Sequence, residues 1–323
     1  MSNNYAELGP VSTFGVPIIG GAPALLPFTG TYVWVNESTG NNGNPGTADA
    51  PFATLAYALT QVGDGNGSVI FFQGTIHLTS KLTWNKQVHL VGLDAPLQRG
   101  KRARISVSGS TAFSPMVDVT SAGCWFVNFG TFYGFNSASN NAICWQDSAG
   151  RSCYDNVEFM GFGDGTASTG TANIVGARAF KVNNSTGETT WRSCVFGVDT
   201  VTRNATNYTV ELAGGAPRLT FADCIFEAYL GASGGASSHV LIGASGIDRY
   251  ADFVRCRFHA AGDSGGTAMA QAFNVNSAPG GTVFLDQCTV GNGVTAIQTT
   301  PVTAMQMNMV AATTGGGKTH VVF

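Results

Sequence analysis

A six-residue pattern recurs six times in the middle of the chain, and it limits the possible folds more than any other feature. Each copy has a mostly bulky apolar residue, two variable residues, a small apolar residue or Cys, one variable residue, and Phe or Val. The fourth positions are Val127, Val157, Cys194, Cys224, Cys256 and Cys288. Successive copies are separated by 30 to 37 residues. Repeats with a period between about 20 and 50 residues are typical of solenoids, in which successive units stack on one another.

The spacing inside each copy indicates β-strands. Its last three positions alternate apolar and variable residues, which is the period of a strand. The first apolar residue lies three positions before the Cys or Val, so both residues face inward only if the chain bends between them. Asn156, Ser193 and Asp223 occupy the bend in three copies and favour corners, whereas Arg255, Gln287 and Phe126 have no such preference. A second strand-like segment precedes each copy, and together the two predict a parallel β-helix.

Several motifs lie between Tyr32 and Gly92. They are Tyr32-Val33-Trp34-Val35-Asn36, a Gly- and Asn-rich run over 40–47, Pro51-Phe52-Ala53-Thr54-Leu55, and Asn85-Lys86 before an apolar strand. This segment resembles the start of pectate-lyase-like right-handed β-helix proteins. The resemblance implies an all-β, single-stranded right-handed parallel β-helix with a short N-terminal capping helix and an extended N-terminal arm. It implies no single function, because lyases, hydrolases, epimerases and viral fibres share this architecture.

The chain divides into four segments. Residues 1–30 are apolar but interrupted by Gly and Pro, which predicts an extended arm on another subunit, an irregular cap over the first coil, or both. Residues 31–115 hold the N-terminal cap and first coils, with a helix at about 51–62 that would cover an exposed sheet edge. Residues 116–298 are predicted to form the remaining coils, and residues 299–323 a C-terminal cap or an exchanged strand. The residues predicted to anchor the arm are Phe14, Val16, Ile18, Ile19, Leu25, Leu26 and Phe28.

Two columns of like residues are predicted to stack in the core. They are the thiols of Cys194, Cys224, Cys256 and Cys288 and the rings of Phe159, Phe196, Phe226 and Phe258. Stacked side chains run parallel, whereas a disulfide needs converging Cβ atoms, so we expect reduced thiols. Reduced thiols are consistent with assembly in a cytoplasm. Since the chain has no CxxC pair and no His in a metal-binding spacing, we expect neither a metal nor a cofactor.

Six acidic residues form the best candidate patch for a site that cleaves polysaccharide. Asp223, Glu227, Asp252 and Asp286 lie near equivalent coil positions, and Asp155 and Glu158 lie two coils earlier. A glycosidase needs two carboxyl groups about 5–10 Å apart. Turns and strand exteriors produce the same acidic pattern, however, and we therefore expect no catalytic residue and no enzymatic activity. The only basic cluster, residues 101–104, is interpreted as a solvated turn.

Charge and hydropathy exclude two classes of partner. A formal net charge of -3 argues against nucleic acid, which requires a basic face. No apolar run is long enough to span a membrane, and we expect no membrane partner. The N-terminus lacks the basic start and apolar core of a secretion signal. On sheet exteriors, Val195, Ile225 and Met160 are predicted to form an exposed apolar strip for lateral association.

The chain as a whole is similar to the β-helical proteins that tailed bacteriophages carry on the outside of their heads as decoration or cement proteins. This resemblance implies a structural protein of the virion, assembled in the host cytoplasm and held on the capsid exterior by its arm. It further implies the major capsid protein as partner and a homotrimer as the assembly. The alternative is a tail spike or fibre that binds or cleaves a host surface polysaccharide, with that glycan as partner.

Overall fold

The chain forms a right-handed parallel β-helix with three sheets, which confirms the predicted fold class. The computed structural model describes residues 30–107, 112–243, 245–262, 266–275, 280–291, 293–298 and 321–322. Nearly every strand pairs in parallel with the equivalent strand of the next coil, about 4.8 Å away. The anchoring residues predicted over 14–28 lie outside the described residues, and so does most of the segment 299–323.

The strands of each sheet follow the chain in order. Sheet 1 contains β1 (Tyr32–Asn36), β2 (Val69–Gln73), β5 (His89–Gly92), β8 (Trp125–Val127), β11 (Cys153–Asp155), β14 (Glu188–Arg192), β17 (Ala216–Ala222), β20 (Ile247–Val254) and β23 (Thr282–Asp286). Sheet 2 contains β4 (Leu82–Trp84), β7 (Val117–Val119), β10 (Ile143–Asp147), β13 (Arg178–Asn183), β16 (Tyr208–Ala213), β19 (Ser238–Ile242) and β22 (Gln271–Val275). Sheet 3 contains β3 (Thr75–Leu78), β6 (Arg104–Val107), β9 (Gly130–Phe132), β12 (Glu158–Phe159), β15 (Val195–Arg203), β18 (Ile225–Leu230), β21 (Arg257–Gly262), β24 (Thr289–Val290) and β25 (Val321–Val322).

The interior is filled by stacked columns of like side chains. The rings of Phe159, Phe196, Phe226 and Phe258 stack in sequence, with centroids 5.4, 5.0 and 4.6 Å apart. A parallel column from sheet 1 includes Trp191, whose ring lies 4.3 Å from the next aromatic ring along the column. Offset stacking adds about 0.5–1.5 kcal/mol per pair to the gain from burial. These columns therefore fix the register between coils as well as filling the core.

The cysteine column has a polar role that size alone does not explain. Cys194, Cys224, Cys256 and Cys288 are fully buried and not in disulfides. Each thiol donates to a backbone carbonyl of the preceding coil, as Cys288 Sγ does to Phe253 O at 3.1 Å. A Cys at the corner thus fills a small apolar space and contributes a weak hydrogen bond to a buried acceptor.

A single left-handed residue makes the corner between sheets 1 and 3. Asn156 and Ser193 have positive φ, but so do Arg255 and Gln287, whose side chains carry no such preference. In the first copy the left-handed residue is Asn128, with φ 58. Asn and Asp tolerate this conformation best, and at Arg255 and Gln287 the stacked neighbours impose it.

The first copy of the repeat is therefore shifted by two residues from the predicted alignment. Phe126 pairs with Tyr154, so it is the inward residue before the corner. Phe129, and not Val127, occupies the place of Val157 and the Cys column, because Val127 faces outward. A shift of two residues keeps the alternation of a strand intact, so the sequence pattern could not expose the error.

Each end of the β-helix has its own closure. The helix α1 (Leu55–Gln61) is shorter than the predicted 51–62, because Phe52 pairs with Val35 of β1 before the helix begins. Thr54 caps α1 by accepting from Tyr57 N at 3.2 Å. At the other end β25 pairs antiparallel with β24 and occupies the edge of sheet 3. The remaining segment boundaries stay predictions.

Candidate functional site

A loop between sheets 1 and 3 lies over the outer face of sheet 3. This covering loop, residues 94–102, follows β5 and precedes β6. Gln98 Nε2 donates to the carbonyls of Ser193 and Asp223, at 3.4 and 3.3 Å, although these residues follow it by about a hundred positions. Closer to β6, the amides of Gly100 and Lys101 donate to the carboxylate of Glu158. The covering loop therefore crosses several coils.

The covering loop removes the predicted apolar strip from solvent. Val195, Ile225 and Met160 were expected to form an exposed surface for self-association, but their exposed fractions are 0%, 8% and 7%. The bonds of the covering loop to Glu158 and Ser193 lie around Val195 and explain its burial. The prediction of an exposed strip is therefore corrected, and trimer formation remains a prediction.

Lys101 is another departure from the sequence prediction. It was interpreted as part of a solvated turn, yet it is buried, and its ammonium donates to Asn128 Oδ1 at 2.7 Å. Burial lowers the pKa of Lys101 to about 8, and the negative charges of Asp94 and Glu158 act in the opposite direction. Lys101 thus fastens the covering loop to the corner residue of the first repeat.

Four titratable side chains, Arg99, Asp199, Glu227 and His259, meet where the covering loop reaches β18, and we call this group the acid site. The guanidinium of Arg99 forms ion pairs with both Glu227 and Asp199, its Nη1 lying 3.3 Å from Asp199 Oδ2. His259 Nε2, from the next coil, lies 3.9 Å from Glu227 Oε2. Only 3% of the Glu227 side chain is exposed, whereas Asp199 is 41% exposed. The acid site thus joins a dehydrated carboxyl group to a hydrated one.

A buried arginine supports the acid site from inside. Arg203 is fully buried, and its Nη2 donates to Glu227 O at 2.8 Å while its Nη1 donates to Thr209 Oγ1 at 3.1 Å. The guanidinium lies 3.8 Å from the ring centroid of Phe162, a cation–π distance. Burial lowers the pKa of Arg203 to about 9, although Glu227 favours its charged form.

Burial sets the proton affinities in the acid site. It raises the pKa of Glu227 from 4.5 to about 7, even though the positive charge of Arg99 acts to lower it. Burial also lowers the pKa of His259, and the charge of Arg99 adds to this effect. Because its pKa lies near neutral pH, Glu227 is a candidate functional residue.

A polar groove lies beside the acid site, along the corner between sheets 1 and 3. This corner groove encloses about 450 Å³, within the range of about 300–1,000 Å³ common for ligand pockets. Its lining includes Gln98, Asp155, Ser193, Asp223, Arg255 and Arg257. Corner residues of successive coils repeat about every 4.8 Å, so the groove presents polar groups at a regular spacing.

The charged side chains along the corner groove differ in whether they form ion pairs. Arg255 forms a two-pronged ion pair with Asp223, with both nitrogen–oxygen distances at 2.7 Å. Asp155 pairs with Arg192 at 2.8 Å. Arg257 also lines the groove but forms no ion pair with any residue that the structure describes. Arg257 is therefore the arginine of the groove lining that pairs with no carboxylate of the described residues.

The six acidic residues predicted as one patch lie on different surfaces. Asp155, Asp252 and Asp286 belong to sheet 1, where burial raises the pKa of Asp252. Asp223 lies at the corner, and only Glu158 and Glu227 lie on sheet 3. The structure thus keeps Glu227 as a site residue and separates it from most of the proposed patch.

Sequence reasoning missed three members of the site. Arg99, Asp199 and His259 were not singled out, since none of them lies within the six-residue repeat. The available signal was position: Glu227 and His259 stand three residues after Cys224 and Cys256, on equivalent outward positions of neighbouring coils. No sequence pattern indicates that Arg99 reaches them.

The described ranges contain neither a metal-binding cluster nor a membrane-spanning helix. Within those ranges, no group of three or more His, Cys, Asp or Glu side chains is arranged to hold a metal ion. No helix in the same ranges has the length and apolar character needed to cross a membrane.

The chain is similar to some solved structures at low sequence identity. No family model matches the chain, and no curated protein sequence matches it. Among solved structures, the deglycosylated pectin methylesterase from Aspergillus niger is similar at 12% identity and a TM-score of 0.49, covering 88% of this chain and 91% of that one. Pectin methylesterase PemA from Erwinia chrysanthemi is similar at 11% identity and a TM-score of 0.41, covering 86% and 93%.

This comparison corrects one prediction. We expected no enzymatic activity, but the similar solved structures are pectin methylesterases, which are enzymes, and the prediction is withdrawn. Any activity of this chain has to be argued from its own side chains, because one fold carries many functions.

Proposed function

We propose that this chain binds an acidic polysaccharide along the corner groove. The observation that carries the proposal is Arg257, a groove residue without an ion-pair partner in the described part of the chain. A guanidinium binds a carboxylate through two parallel hydrogen bonds, so a uronate residue fits this charge.

The rest of the groove suits sugar hydroxyls. Ser193, Asp223 and Gln98 present hydroxyl, carboxylate and amide groups, which supply both donors and acceptors. The hydrogen bonds of Gln98 to two corner carbonyls hold one wall in place before a ligand arrives. Since similar polar groups recur at each coil, a chain of repeating sugar units matches the groove better than a single small molecule.

Titration calorimetry with polygalacturonate, alginate, hyaluronate and uncharged dextran tests this proposal. We expect the full-length protein to bind at least one of the acidic polymers and not dextran. Arg257→Ala should weaken that binding about tenfold or more, since it removes a charged hydrogen bond of about 1.5–3 kcal/mol. Binding should also weaken as the salt concentration rises.

Arg249→Ala is the matched control, because Arg249 is an exposed arginine on β20 whose ion-pair partner is the adjacent Asp248. It should leave affinity unchanged. Failure of all three acidic polymers to bind, or equal losses in the two variants, would contradict the proposal.

A second candidate function is decoration of a bacteriophage capsid, and the apolar, Gly- and Pro-interrupted segment 1–30 favours it. In this role the segment binds the major capsid protein, a homotrimer projects from the capsid exterior, and the β-helix is its rigid body. Incubating capsids of a phage that carries the gene with the full chain, and with a chain that starts at residue 31, tests this role. Only the full chain should sediment with the capsids. Equal sedimentation of both chains would contradict it.

A further inference from the structure

A lysine amine and an asparagine amide are held in contact where the covering loop meets the first corner of the repeat. Lys101 is 1% exposed and Asn128 is 6% exposed. Lys101 Nζ lies 2.7 Å from Asn128 Oδ1. Because a carbonyl bond is about 1.2 Å long, the amine lies within about 4 Å of the amide carbon Cγ. Atoms that react with one another in a protein are positioned about 3–3.5 Å apart, so only a small movement separates this contact from a reactive one.

The hydrogen bonds of the Asn128 side chain fix the orientation of its amide. Nδ2 donates to Gly92 O at 3.1 Å and to Asp94 O at 2.8 Å. Oδ1 accepts from Lys101 Nζ and also from Asn156 Nδ2, the latter at 3.0 Å. Exchanging the oxygen and the nitrogen would place donors against donors and acceptors against acceptors. The carbonyl group of the amide, and not its NH₂ group, therefore faces the amine.

Burial favours the neutral, nucleophilic form of Lys101. No carboxylate of the described residues forms an ion pair with its ammonium, which contacts a neutral amide oxygen instead, and an unpaired buried charge is costly. Burial accordingly lowers the pKa of Lys101 to about 8. A lysine amine whose pKa is lowered by dehydration is an effective nucleophile. The amides of Gly100 and Lys101 donate to the carboxylate of Glu158, which holds the backbone of the covering loop beside Asn128.

We infer that Lys101 and Asn128 join in an intramolecular isopeptide bond that the folded chain forms by itself. The product is an amide between Lys101 Nζ and Asn128 Cγ, and it ties the covering loop covalently to the corner between sheets 1 and 3. The bond also removes an unpaired positive charge from a buried position. This inference is independent of the proposed binding of a polysaccharide.

The reaction balances with ammonia as its only leaving product. The neutral amine of Lys101 attacks Asn128 Cγ, and an electron pair of the carbonyl bond moves to Oδ1. Asn156 Nδ2 donates to this oxygen and stabilises the negative charge that develops there. A proton passes from Nζ to Nδ2, the bond between Cγ and Nδ2 breaks, and ammonia leaves as the carbonyl group re-forms. Nothing is oxidised or reduced.

Mass spectrometry of the denatured full-length protein tests this inference. After incubation under native conditions, the intact mass should be lower than that of the sequence by the mass of one ammonia. Protease digestion should then release a branched peptide in which Lys101 is joined to Asn128. An intact mass without the loss of ammonia would overturn the inference, and so would a loss that maps to any other residues.

Two lysine variants separate this bond from other losses of ammonia. Lys101→Met removes the amine and keeps an apolar side chain, so the loss should disappear. Lys86→Met is the matched control, because Lys86 Nζ donates to the backbone carbonyls of Leu59 and Val62. In this variant the loss should persist. A loss that persists in Lys101→Met would overturn the inference. The peptide map of the wild type does not depend on the folding of either variant.

Asn156→Gly tests the stabilisation of charge on Asn128 Oδ1. Gly adopts the positive φ of 54 that this corner requires, and the substitution removes the donor. Intact mass followed from the moment of synthesis in a cell-free extract should show bond formation slowed about 100-fold, the scale of a lost oxyanion donor. Gln287→Gly makes the same backbone change at a distant corner with a φ of 53 and should leave the rate unchanged. Equal rates in the two variants would contradict the reaction as written.

Discussion

The outer faces of sheets 1 and 3 carry similar ion pairs but differ in what lies over them. On sheet 1, Glu188 pairs with Arg218 of the next coil, and both side chains remain in contact with water. On sheet 3, Glu227 pairs with Arg99 under the covering loop and is almost fully removed from water. When a loop excludes water from an ion pair on the exterior of a β-helix, the pKa of its carboxyl group therefore changes.

The physical reason is the cost of dehydrating a charge. An exposed ion pair contributes about 0–1 kcal/mol, since water already solvates both partners. Dehydration disfavours the charged carboxylate and favours the protonated acid, which is why burial raises the pKa of Glu227 to about 7. The covering loop is thus the element that separates a structural pair from a candidate acid.

The largest expected effect on stability comes from placing a charge on the outer face of sheet 3, beneath the covering loop. Val195→Asp puts a carboxylate where the exposed fraction is 0%, with Glu158 and Ile225 as its neighbours across the sheet. We expect a loss of about 3–5 kcal/mol in the free energy of unfolding, the scale for an uncompensated buried charge. Denaturant unfolding of the purified variant measures it.

Thr190→Asp is the matched control, because Thr190 lies on the outer face of sheet 1 and is half-buried without a covering loop. A surface change of this kind should alter stability by about 0.5 kcal/mol or less. Equal losses in the two variants would mean that the covering loop does not distinguish the two faces.

The second expected effect is a dependence of the free energy of unfolding on pH. Glu227 has a pKa of about 7 in the folded chain and an ordinary value of 4.5, so between these values the native state binds a proton that the unfolded chain has released. Stability therefore falls as pH rises through this window, and the loss is complete above about pH 7. The difference between the two pKa values corresponds to about 3 kcal/mol.

Comparing unfolding free energies at pH 5 and pH 8 measures this contribution. In Glu227→Gln the contribution should be absent, whereas Glu188→Gln should retain it. The charged and titratable groups that face Glu227 are the same in all of these proteins, namely Arg99, Asp199, Glu158, Arg203 and His259, so the comparison isolates Glu227. An identical pH dependence in wild type and Glu227→Gln would show that Glu227 is not dehydrated.

Much of the interior could be predicted from the sequence. Cys194, Cys224, Cys256 and Cys288 do form one buried column, because a fixed period and a fixed place before Phe or Val identify stacked positions. The misplaced first copy shows the limit, since Val127 and Phe129 are both apolar and stand two residues apart. Alternation identifies the two faces of a strand, but it does not distinguish equivalent positions on one face.

The acid site could not be predicted in the same way. Strand alternation placed Val195 and Ile225 on an outer face correctly, yet it gave no indication that a loop covers that face. Arg99 reaches Glu227 although the two residues are 128 positions apart in the chain, and no repeat relates them. Contacts between a loop and a distant coil depend on the three-dimensional course of the chain, which periodicity does not contain.

The smallest expected effect is on the outer face of sheet 1, where the ion pair between Glu188 and Arg218 is in contact with water. Glu188→Gln breaks the ion pair with Arg218, in which both side chains are at least one-third exposed. We expect the free energy of unfolding to change by less than about 1 kcal/mol at low salt, and the change should diminish at 1 M salt because the charges are screened. A double-mutant cycle with Arg218→Ala isolates the interaction from other effects of each substitution. A coupling well above 1 kcal/mol would mean that this face is also dehydrated, and the contrast between sheets 1 and 3 would then need another cause than the covering loop.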